Sequence, residues 1–144
     1  MRVERVGLSV TGVVLGLLLA PGLLVAHHSF AAEFDVSQPM TLRGKIMKIE
    51  WINPHAWMHL AVTRPDGVVE EWEVELGPPN ALLRRGWDKN SVPVGTEAVI
   101  YGYRSKDPNK TRINGRDANF PDGRKLFIGS SGTGAPDFDK SDKK

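Results

Sequence analysis

Two stretches of this chain alternate apolar and polar residues at the period of a β-strand. In residues 56–63, Ala56, Met58, Leu60 and Val62 point one way, and Trp57, His59 and Ala61 the other. In residues 68–76, Val68, Trp72, Val74 and Leu76 share a face with Glu70, while Glu71, Glu73 and Glu75 lie on the opposite face. Pro65-Asp66-Gly67 between them is a tight-turn signal, so the two read as a hairpin. Residues 41–52 form an earlier extended run, in which Gly44 invites a bend or bulge. Residues 97–104, 112–120 and 125–128 read as later strands, the last two joined by the turn Pro121-Asp122-Gly123. Only residues 81–85 read as a helix, with Asn80 as N-cap and Gly86 as the stop.

Three strands, a short helix and two further strands is the order of an OB-fold. The predicted class is therefore all-β with one short helix, an OB-like five-stranded barrel over residues 41–128. A β-sandwich is the alternative, for which the chain is short. In an OB-fold, ligands meet the face of strands 2 and 3 and the loops after strands 1 and 4. Here those loops hold Asn53-Pro54-His55 and residues 105–111.

The start of the chain has a different pattern. Arg2 and Arg5 precede an uncharged, apolar stretch over residues 6–26, followed at once by His27 and His28. Basic start, apolar middle and small residue before the break are the pattern of a secretory signal peptide. Residues 1–26 are therefore expected to be removed on export, giving a periplasmic or secreted protein. Cleavage after Ala31 or Ala32 is an alternative, and so is an uncleaved anchor, since about 20 apolar residues span a bilayer. Residues 27–40 read as an N-terminal arm. Residues 129–144, Gly/Ser-rich and then charged, read as a disordered tail.

Composition narrows the functional classes. The leader holds Arg2, Arg5 and Glu4, so of 19 basic and 17 acidic residues the mature chain keeps 17 and 16. A net charge of +1 gives no general attraction to nucleic acid. There is no cysteine, which excludes disulfides and thiolate ligands. No nucleophile elbow is present, and the Gly/Ser run at residues 129–134 lacks the Gly-Lys-Ser/Thr of a P-loop. No catalytic residue is assigned.

Four histidines carry the candidate chemistry: His27, His28, His55 and His59. Cleavage after Ala26 would make His27 the first residue. It would then offer an amine and an imidazole from one residue, and nitrogen donors without thiolate suit copper. His55 is the expected partner, completing a three-nitrogen site, with His59 and His28 as further candidate ligands. The competing expectation is an interaction module without metal. It would use the two loops, Asn53 and Trp57 to bind an envelope protein or a glycan, with Trp57 as a stacking platform. The carboxylate ladder Glu71, Glu73, Glu75 reads as a solvated face.

The stretches AHHSFAAEFD, WINPHAW, ELGPPNALLRRGW and PDGRKLF together resemble a family of small exported bacterial proteins of unknown function. The resemblance covers nearly all of residues 26–130. It implies export and the domain boundaries, and it brings no activity and no site residues. Pro78 stands where that family usually has serine.

Overall fold

A computed structural model describes residues 30–131 and 135–136. The strands are β1 (Phe34–Glu50), β2 (Trp57–Thr63), β3 (Val69–Glu75), β4 (Glu97–Ser105), β5 (Arg112–Asn119) and β6 (Lys125–Phe127). The helices are α1 (Phe30–Glu33) and α2 (Pro79–Arg84), the latter between β3 and β4 as predicted.

All six strands belong to one sheet in the order β3-β2-β1-β4-β5-β6, and a β3–β5 pairing closes it into a ring. Neighbours are antiparallel except at that closing seam, where Glu73, Val74 and Glu75 run parallel to Arg112, Ile113 and Asn114. The mostly-β class and the five-strand cycle β1-β2-β3-β5-β4 agree with the OB-like prediction. β6 is an addition outside the cycle.

β1 makes the closure feasible. Its first part pairs with β4 and its last part with β2, and Lys45 is paired on both sides, with Glu97 and with Ala61. A register shift between Ile46 and Lys48 marks the bend there. Gly44 permits it, because a Cβ at this position would lie 2.6 Å from the Ala61 carbonyl oxygen.

Most inward positions are those that the alternation predicts, although Val68, expected on the inward face, is exposed ahead of β3, and His59, expected on the other face, is buried. Met58, Leu60, Trp72, Val74 and Leu76 join Ile46, Ile100, Ile113 and Ile128 in one core, closed by Leu82 of α2 and by Trp87. Burying these side chains is the main favourable term in folding a chain without disulfides.

Three boundaries differ from expectation. β1 begins at Phe34, seven residues before Thr41. The arm is held there by Phe30 and Phe34, which stack on each other at 5.7 Å, while Phe30 meets Tyr103 edge-on at 5.5 Å. α2 starts at Pro79 with Pro78 at the N-cap, and Asn80 lies inside it. The fixed φ of proline suits the first helical position, so no side-chain cap is needed. The start of the expected disordered tail is packed. Gly129 and Ser130 are buried, their carbonyls accepting from Arg85 and Arg116 at 2.8 and 2.9 Å. The leader, His27, His28 and residues 137–144 lie outside the described residues.

Candidate functional site

A cleft of about 280 Å³ opens where the β1–β2 loop meets the end of β3, the start of β5 and α1. Phe30, Phe34, Ile52 and Pro54 give it apolar walls, and Glu33, Asn53, His55, Trp57, Glu75, Arg112 and Asn114 supply its polar and aromatic lining. The loop turns through a cis Asn53–Pro54 bond, and Ala56 then exchanges backbone hydrogen bonds with Leu76 and Gly77. His55 is thus anchored one residue from a fixed backbone pairing.

His55 Nδ1 lies 2.8 Å from Glu75 Oε1. Glu75 is only 6% exposed, so the pair sits largely out of water. The hydrogen bond to Glu75 holds the His55 pKa above its usual value. Burial works against the rise, and the charges of Glu75 and Glu33 add to it. An ionised carboxylate can only accept, so Nδ1 carries the proton in neutral His55 and Nε2 is left as the lone-pair nitrogen.

Asn114 lies beside Glu75 across the parallel seam. It is 4% exposed, and its Oδ1 has no hydrogen-bond partner among the described residues. A buried polar atom without a partner costs about 1–3 kcal/mol, a cost that a ligand's hydrogen bond would offset. Arg112, one strand position from Ile113, donates twice to Glu73 Oε2 and lays its guanidinium over the Trp57 ring, 4.6 Å from the centroid. That face of Trp57, the expected stacking platform, is therefore occupied by a cation from the protein itself.

The structure brings three of the predicted site residues together, since Asn53, His55 and Trp57 all line the cleft. His59 is not among the residues lining it. It is buried on the same face of β2, with Nδ1 2.7 Å from Glu71 Oε1 and Nε2 3.3 Å from Glu50 Oε2. Both ring nitrogens are engaged by carboxylates. His27 and His28 fall outside the described residues. Among the described residues, no group of three His, Asp or Glu side chains is placed to hold a metal ion.

The carboxylate ladder is a solvated face at Glu71, partly so at Glu73, and buried at Glu75. Glu71, Glu73 and Glu75 are each paired, with His59, Arg112 and His55 respectively. Sequence reading missed Glu75 and Asn114 as site residues. The alternation did place Glu75 on the Trp57 face. What it lacked was the register that sets Glu75 opposite Trp57 and beside Asn114.

Fold and site together define a small, mostly-β protein with a closed sheet and a mixed polar and aromatic cleft at the ring's closing seam. The chain belongs to a family of unknown function, DUF6152, whose model matches residues 17–114. That match runs from residue 17, within the expected leader, to the Asn114 that lines the cleft. No curated protein and no solved structure matches the chain.

Proposed function

We propose that this is an exported, periplasmic or secreted, ligand-binding protein that holds Cu(II) with the amine and imidazole of His27 and the Nε2 of His55. The reading takes cleavage after Ala26 as its starting point. The observation that carries it is His55 in the cleft, its Nδ1 committed to Glu75 and its Nε2 left as the donor. Phe30 lines the same cleft, and His27 lies three residues before it in the chain. Three residues reach about 10 Å when extended, enough to bring a terminal histidine to the cleft. Two imidazoles and an amine suit Cu(II) better than Mg²⁺ or Ca²⁺, which prefer oxygen. His59 is set aside as a ligand, because both of its nitrogens face carboxylates.

The test is a Cu(II) titration of the mature protein beginning at His27, alongside His27→Ala, His55→Ala and a form with one residue added before His27. The parent binds at neutral pH and releases the metal in acid, since the donor nitrogens must be deprotonated to coordinate. All three variants bind more weakly. Equal affinity of parent and His55→Ala sinks the convergent site. A parent that binds no copper leaves the interaction module, with an envelope protein or glycan as partner, as the remaining reading. Mass spectrometry of the exported protein checks the cleavage point.

A further inference from the structure

Glu75 is the least expected residue of the cleft. It belongs to a run of three alternating carboxylates, yet it is buried, and it places an oxygen 2.8 Å from His55 Nδ1. Its position is rigidly set. β3 is paired on both sides at this residue, with Trp57 of β2 and with Asn114 of β5. A metal-ligating histidine commonly donates its other ring N–H to such a carboxylate, which fixes the tautomer, orients the ring and raises the basicity of the ligating nitrogen.

We infer that Glu75 is a positioning residue for metal binding: it holds His55 in the Nδ1–H tautomer and thereby presents Nε2 to Cu(II). The inference rests on the copper reading above and adds to it a group that does not itself touch the metal. Neutral imidazole in water favours neither a single ring orientation nor one exclusive tautomer. Without Glu75, His55 must be ordered at the moment of binding, and affinity falls. Glutamine at position 75 can still accept from Nδ1–H but lacks the charge, so it restores the tautomer and only part of the affinity.

The experiment uses the mature protein with Glu75→Ala, Glu75→Gln and His55→Ala. Cu(II) affinity is measured by competition with a chelator, and the copper signal by electron paramagnetic resonance. Nitrogen-15 correlation spectra of the metal-free protein report the His55 tautomer. Glu75→Ala is expected to weaken Cu(II) binding about 10–100-fold, the usual effect of removing such a partner. It also mixes the tautomers and alters the copper signal. Glu75→Gln recovers the Nδ1–H tautomer and an intermediate affinity, a rescue that a merely structural role would not track. If His55→Ala weakens binding while both Glu75 variants bind like the parent, this inference fails and the copper site stands. If the parent itself binds no Cu(II), both fail.

Discussion

Trp72 and Trp57 sit on neighbouring strands and are assigned to opposite faces of the sheet, which makes them a direct test of the closed core. Trp72 is 5% exposed inside the main cluster, with Arg104 at 5.4 Å from its ring centroid and Nε1 donating to Glu70 at 3.3 Å. A buried tryptophan hides about 150–250 Å². At about 25 cal/mol per Å², that surface contributes roughly 4–6 kcal/mol. Alanine keeps a small part of it, so Trp72→Ala should cost about 3–5 kcal/mol, the range found for large aromatic truncations. Arg104 can fold into part of the space left behind, which favours the lower end. Trp57 is half-buried, and one face of its ring is covered by the Arg112 guanidinium rather than by core. Trp57→Ala should cost about 1–2 kcal/mol. Thermal and urea unfolding of the two variants measure the difference. For a domain of about this size each kcal/mol moves the melting midpoint by about 4 °C or more, so Trp72→Ala should melt at least ~12 °C lower. Equal losses in the two variants would refute the face assignment, and with it the inward direction of β3.

The His55–Glu75 pair predicts a pH dependence for the metal-free protein. Its folded pKa is raised, so its stabilising contribution is complete below the ordinary histidine value of about 6.5 and is lost as pH rises through the folded value. His55→Gln should flatten that part of a stability-against-pH curve, and an unchanged curve would show that the pair does not form. Gly102→Ala should destabilise by about 2 kcal/mol or more, because the new Cβ would run into the Asn114 carbonyl where β4 and β5 approach at a register shift; chemical denaturation reads the loss. Arg116 is buried, donates to the carbonyls of Ser130 and Ala135 and covers the Phe127 ring at 4.9 Å. Arg116→Ala should therefore cost about 2–4 kcal/mol and speed proteolysis after Ile128, whereas unchanged protection would show that the arginine does not hold this segment.

The amino-acid sequence alone determined the hairpin of β2 and β3, the identity of most inward residues, the place of α2 and the turns at Gly67 and Gly123, both with positive φ. These features depend on neighbours within a few residues: the two-residue period of a strand, the preset φ of proline and the steric freedom of glycine. Only the tertiary structure decided the rest. The ring closes because β3 meets β5 in parallel, and no local signal announces a partner some forty residues away in the chain. Phe30 and Phe34 convert part of an apparent arm into strand by packing on Tyr103, a contact across about seventy residues. Glu75 and His55 illustrate the same limit at the site. Each residue was visible in the sequence, one as a solvated carboxylate and the other as a loop histidine expected to partner His27. Their pairing follows from the β2–β3 register and the loop that returns Ala56 to Leu76. Local periodicity is written in adjacent side chains, whereas a cross-strand contact depends on which long-range pairing buries the most apolar surface. That choice belongs to the folded chain as a whole.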